Sequence, residues 1–208
     1  MESGRLDAEY FQPKYDYLLG ELKRFKIKAI KEIAVLSKSI EPGSDAYCDN
    51  GTPFIRVADL SKFGLSEPSI YLDEMDFDEV IRPQKDTILL SKDGSVGVAY
   101  KVDEPLNVIT SGAIVHLNVT DKEVLPDYLT LVINSVVVKL QAERDAGGSI
   151  IQHWKPSEIE KVIIPILAME EQIKISQLIQ QSFSLRRESE ILLTKAVSIV
   201  ENTIDENI

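Results

Sequence analysis

The chain has 208 residues, 44% of them apolar and 27% charged, with a formal net charge of −11. That length suffices for one well-buried domain plus an extra element, or for two small domains, and no apolar run approaches the roughly 20 residues needed to cross a bilayer. The acidic balance argues against a freely binding, non-specific DNA protein, because such binding rests on cationic contacts to phosphate.

In chain order, the opening Met1–Leu6 is polar and lacks the apolar core of a signal peptide, so a cytoplasmic location is expected. Pro13 suits a first helical turn, and Leu18, Leu22 and Phe25 recur at helical spacing, which predicts a helix over about 13–25. A shorter apolar pattern follows at Ile30, Ile33 and Ala34, before the turn signal Glu41-Pro42-Gly43-Ser44. From about 37 to 164 the chain reads mostly as strands and turns. Phe54–Val57, Thr87–Leu90, Val96–Val102 and Ala113–Val119 are the strand candidates, and Lys92-Asp93-Gly94 is a turn. Tyr128–Leu140 is apolar with helical spacing, and Gly147-Gly148 breaks the chain.

From Glu170 to about Ile204 there is no Gly and no Pro. This predicts a single helix of roughly 50 Å at ~1.5 Å per residue. Ile175, Leu178, Ser182, Leu185, Ser189, Leu192, Ala196, Ile199 and Thr203 alternate three and four apart, as in a heptad. Leu178, Leu185, Leu192 and Ile199 form a uniformly large set, and Leu193, Val197, Val200 and Ile204 widen the stripe near the end. A helix this long outreaches a domain of ~130 residues with a radius of gyration of ~14 Å. Part of it is therefore expected to pack on another helix.

Catalytic and metal-binding patterns are absent from the sequence. The one cysteine, Cys48, permits no intrachain disulfide, sits among Asp45 and Asp49 and reads as a bystander thiol. His116 and His153 have no cysteine companions at ligand spacing, so no metal site is expected. Gly94-x-x-Gly97 and Gly147-Gly148 lack the rest of any phosphate loop, and no cofactor is expected. Lys92 beside Asp93 has no paired upstream carboxylate for a nuclease centre and reads as a turn whose Lys92 and Ser95 can face DNA. Gln152, His153 and Lys155 offer groups suited to base edges, with Trp154 either core or packed on sugar. Arg56 is expected to pair with Asp59 more than to reach phosphate. Residues 37–164 carry twelve basic and twenty-one acidic side chains, so any DNA face in that region must be local.

Five segments, in order and spanning nearly the whole chain, carry a resemblance. Arg5-Leu6-Asp7-Ala8-Glu9-Tyr10-Phe11-Gln12-Pro13-Lys14-Tyr15 looks like the opening of many type I restriction–modification specificity subunits. Gly51-Thr52-Pro53-Phe54-Ile55-Arg56-Val57-Ala58-Asp59-Leu60 resembles their G-x-P-F-I-R-V-x-D-L segment, and Leu89 to Gly97 their L-x-S-x-D-G-S-I-G segment. Gly148 to Trp154, with Glu158-Ile159, resembles the stretch before their closing motif I-P-x-P-x-x-E-Q-x-x-I. That motif is similar to Ile164 through Ile175, with Leu167 in place of the second proline.

The resemblance covers one of the two halves of a full-length subunit. It implies an α/β fold class: a mixed α+β target-recognition domain over 1–164, then a long C-terminal coiled-coil helix over 165–208. It implies sequence-specific recognition of double-stranded DNA and no chemistry of its own. The implied partners are methyltransferase (modification) subunits, a motor–nuclease (restriction) subunit, and a second half or a second copy paired through Ile175, Leu178, Leu185, Leu192 and Ile199. A non-DNA-binding scaffold built on the long helix, and a detached recognition module of a fused restriction–methylation enzyme, are the alternatives. The base-reading candidates are Lys92, Ser95, Gln152, His153 and Lys155.

Overall fold

The computed structural model describes residues 8–146 and 152–205. Met1–Asp7, the Gly147-Gly148 break and residues 149–151 of the Gly148–Trp154 stretch lie outside the described residues. The elements are α1 (Pro13–Leu22), β1 (Lys26–Ala29), α2 (Ile30–Ile33), β2 (Ala34–Lys38), β3 (Tyr47–Cys48), β4 (Thr52–Ile55), β5 (Leu60–Ser61), β6 (Gly64–Leu65) and β7 (Tyr71–Leu72). They continue with β8 (Ile88–Ser91), β9 (Ala99–Lys101), β10 (Ile109–Thr110), β11 (Ile114–Val119), α3 (Pro126–Ile133), α4 (Val136–Asp145), α5 (Pro156–Ile159), β12 (Ile163–Ile166) and α6 (Met169–Asp205). The fold is the expected mixed α+β domain with a long C-terminal helix.

The central sheet runs β2-β11-β8-β9, all antiparallel. Both of its faces are covered, and the strands show it: all four residues of β8 are buried. Successive side chains of a strand point to opposite faces. Ile88 and Leu90 accordingly enter the main core with Val115 and Leu117, beneath Leu129 and Ile133 of α3 and Val138 of α4. Leu89 and Ile114 face the other way, onto Ile55, Leu60 and Val102. That second layer leads to the mixed sheet β10-β4-β7-β3, in which β10 and β4 are parallel. A continuous apolar run such as Thr87–Leu90 is what a strand covered on both faces requires.

Tyr128–Leu140 is two helices. The break falls at Asn134-Ser135, where the Ser135 side chain accepts from Val137 N at 3.2 Å. Asn134 spends its amide on the edge strand β9, donating to Ala99 O at 2.8 Å while its Oδ1 accepts from Ala99 N at 3.1 Å. The side chain thereby covers part of an edge that would otherwise offer an unpaired backbone. α1 ends at Leu22, short of Phe25, because β1 begins at Lys26 and pairs antiparallel with β12, Lys26 opposite Ile166. β12 runs across positions 164 and 165 and leads directly into α6.

The first turns of α6 dock on the domain. Gln172 is fully buried, Ser176 is buried, and Ile175 packs against the main core. Phe183 meets the Tyr100 ring with centroids 6.4 Å apart, and Arg187 lies 3.7 Å from Asp103. From Glu188 to Asp205 every position is exposed. With 37 residues in α6, the helix is about 55 Å long at ~1.5 Å per residue.

Candidate nucleic-acid interface

The turn after β8 is built by Ser91. Its side chain is fully buried, its Oγ accepts from Val98 N at 2.9 Å, and its hydroxyl contacts the Ser95 carbonyl. Gly94 and Gly97 adopt φ of 72° and 87°, with open space where a Cβ would stand. Conformation, not crowding, calls for glycine at both places. Lys92 N donates to Ala113 O at 2.9 Å, which ties the turn to the start of β11.

The segment after residue 151 lies directly against this turn. Trp154 N donates to Lys92 O at 2.8 Å, Gly94 N donates to Gln152 O at 3.0 Å, and Asp93 and His153 form an antiparallel bridge. Two candidate groups far apart in sequence, Lys92 with Ser95 and Gln152 with His153 and Lys155, thus form one patch. Trp154 is the anchor: it is 1% exposed and sits in the main core, so it is not a surface for sugar. Its neighbours Gln152, His153 and Lys155 are exposed, as is Ser95.

The five candidates are not equally free. Side-chain exposure is 63% for His153 and 75% for Lys155, but only 16% for Lys92. The Lys92 ammonium is paired with the Asp93 carboxylate, whose other oxygen takes His153 Nδ1 at 2.9 Å. Sequence reasoning missed this bridging role of Asp93, because a D-G-S turn looks complete without a partner. Lys38 is exposed at the end of β2 opposite Val115, at the same end of the central sheet.

Part of the acidity lies elsewhere. Five of the domain's acidic residues fall in Asp73–Glu79, which follows β7 of the other sheet and is pinned through Phe77 to a separate apolar cluster. Arg56 pairs with Asp59 at 3.7 Å, the structural role expected for it. A groove of about 1030 Å³ between α6 and the domain is lined by Lys101, Asp127, Phe183 and Arg186, among others. Lys101 lies 3.0 Å from Asp103 and 3.1 Å from Asp127, while Gln180 donates to Asp127 at 3.0 Å. These charges satisfy one another and do not form a cationic face.

The other histidine is a core residue. His116 is 2% exposed, its Nε2 lies 2.8 Å from Thr110 Oγ1, and burial pushes its pKa down to about 4. In the unfolded chain an imidazole protonates near ~6.5, so below that value the unfolded state binds more protons than the folded one. His116 therefore contributes stability in full above the ordinary value, and loses it as pH falls toward its folded pKa. The loss at about pH 5 is expected to be about 2 kcal/mol relative to about pH 7.5. Urea unfolding at the two pH values checks this; an equal loss in His116→Gln would assign the effect to other groups. Cys48 is half-buried and donates to Asn50 O at 2.9 Å. Among the described residues, no group of three or more His, Cys, Asp or Glu could hold a metal ion, and no helix is long and apolar enough to cross a membrane.

The family model "Type I restriction modification DNA specificity domain" matches residues 22–192. No curated protein matches the chain in sequence. Among solved structures, the S subunit of a type-I restriction-modification system from M. genitalium superposes with a TM-score of 0.56 at 19% identity, over 75% of this chain and 38% of that one. The HsdS subunit from Thermoanaerobacter tengcongensis gives 0.55 at 16% identity, over 91% and 42%. The type IIG restriction endonuclease BpuSI gives 0.59 at 9% identity, over 83% and 28%. At these identities the likeness is one of fold, and the chain spans less than half the length of each of these three.

Proposed function

The chain belongs to the type I restriction–modification DNA specificity domain family, a non-catalytic family whose role is DNA target recognition, and from that premise we propose that it works as one half of a specificity subunit. The half reads one part of a split DNA site and directs methyltransferase subunits to it, with a restriction subunit joining the assembly. The observation that carries this reading is the pairing of one recognition domain with one long helix whose apolar stripe is uncovered: Leu178, Leu185, Leu192 and Ile199 are 67%, 58%, 58% and 58% exposed. A second copy would supply the missing half and a symmetric site; a second, different half would supply an asymmetric one.

The readers on this domain are Ser95, Gln152, His153 and Lys155, with Lys92 holding the turn through Asp93. Partner subunits supply much of the phosphate contact, which is how a chain of net −11 serves on DNA. The fold likeness to BpuSI supports a second reading, in which the domain is the recognition module of a fused restriction–methylation enzyme.

The test is a titration of the complex reconstituted with its methyltransferase, on a duplex selected by that complex from a random library and on scrambled duplexes, at two salt concentrations. Preference for the selected duplex by at least about a thousand-fold is expected of specific recognition. Equal affinity for all duplexes would leave only a scaffold role for the long helix.

A further inference from the structure

We infer that Asp93 is a positioning residue for base readout: it holds His153 in the Nδ1–H tautomer, so that Nε2 of the neutral ring accepts a hydrogen bond from an exocyclic amino group, adenine N6 or cytosine N4, in the major groove. This rests on the reading of the patch as the DNA-recognising surface.

An ionised carboxylate only accepts, so the contact of 2.9 Å between His153 Nδ1 and Asp93 Oδ1 requires the proton on Nδ1. A neutral imidazole carries one such proton, and its other nitrogen is then a bare acceptor. Nε2 has no partner among the described residues, on a side chain 63% exposed. The Lys92 ammonium donates to the other carboxylate oxygen, so both oxygens of Asp93 serve as acceptors here. Asp93 meets His153 on this side and carries Lys92 on its other oxygen; Lys155, two residues on, lies 3.8 Å from Glu158 instead.

Both ends of the pair are held by backbone. Gly94 N to Gln152 O at 3.0 Å and Trp154 N to Lys92 O at 2.8 Å bracket it, and buried Trp154 fixes the segment against the core. The ring is therefore oriented before any ligand arrives, as a carboxylate orients a metal-bound histidine by gripping its second nitrogen. In the major groove an acceptor discriminates sharply. Adenine N6 and cytosine N4 present donors, whereas thymine O4 and guanine O6 and N7 present lone pairs that repel it.

The first test needs no DNA. The chain has only two histidines, His116 and His153, so imidazole nitrogen NMR of the full chain resolves both. His153 is expected in the Nδ1–H form, and Asp93→Ala is expected to return it to the Nε2–H form that free imidazole side chains prefer. Unchanged signals from buried His116 show that the variant is folded. A native His153 in the Nε2–H form overturns the inference.

The second test is a double-mutant cycle on the reconstituted complex. One arm is His153→Ala; the other replaces single adenines or cytosines of the selected duplex by purine or 2-pyrimidinone, which lack the amino group. At one base, each change alone is expected to weaken binding about ten-fold, and the two together no more than either. Which analogue couples tells adenine from cytosine. Independent, multiplying losses at every amino-bearing base of a duplex that the native complex still prefers overturn this inference alone. Failure of the native complex to prefer any duplex overturns the recognition reading beneath it.

Discussion

Replacing Leu185 and Leu192 together by Asp is expected to leave a folded monomer. Both side chains are 58% exposed on α6. Neither supports the domain core, so far-UV circular dichroism and the melting of the domain should barely change. In a paired helix they are buried instead. Each buried Leu contributes roughly 1.5–3 kcal/mol, and a self-paired assembly loses two from each chain. The loss is at least about 6 kcal/mol, or roughly four decades in Kd, before the repulsion among the new carboxylates is added. Sedimentation velocity over a range of concentrations reads the outcome. A native chain that stays monomeric at high concentration would rule out self-pairing and leave pairing with a different half.

The parts of this architecture visible in sequence are those governed by local rules. The long helix is legible because the stretch from Glu170 to Ile204 lacks Gly and Pro and repeats its apolar residues every three and four positions. Strands β8 and β11 are legible because each is an apolar run bounded by turn residues. The remainder depends on non-local pairing. β1 meets β12 across more than a hundred residues, and nothing in Lys26-Ile27-Lys28-Ala29 announces it. Asn134 stops a helix in order to serve strand β9, a tertiary demand that outweighs the helical spacing of the segment. The candidate interface was half legible. Lys92, Ser95, Gln152, His153 and Lys155 stood out by chemistry, but their union depends on hydrogen bonds between the turn and the segment after 151. Asp93, which joins Lys92 to His153, reads alone as an ordinary turn residue.

Gln172 shows what the closing motif does, and its replacement is expected to cost more than any surface change. The residue is fully buried. Its Oε1 accepts from Leu125 N at 2.9 Å, while its Nε2 donates to Glu123 O at 2.8 Å and to Leu167 O at 2.9 Å. One amide thus binds the loop before α3 and the end of the β12 segment to the first turn of α6. Gln172→Glu keeps the shape and removes the donor, turning two part-buried carbonyls toward a buried oxygen. Leaving buried polar groups unsatisfied costs about 1–3 kcal/mol each, so the variant is expected to lose about 3–5 kcal/mol of stability in urea unfolding near neutral pH. Gln172→Met, of similar volume and without charge, leaves the same carbonyls and Leu125 N unpaired, and separates the loss of hydrogen bonds from the burial of a carboxylate. A loss below about 1 kcal/mol in both variants would mean that apolar contacts such as those of Ile175 hold the helix by themselves. The consequence for recognition follows from the same geometry. α6 sets where the domain stands relative to whatever packs on its exposed half, and Gln172 is the rigid end of that lever. A variant with a loosened Gln172 that still folds should therefore bind a single half-site as the native protein does, yet lose its preference for one spacing between the two parts of the split site.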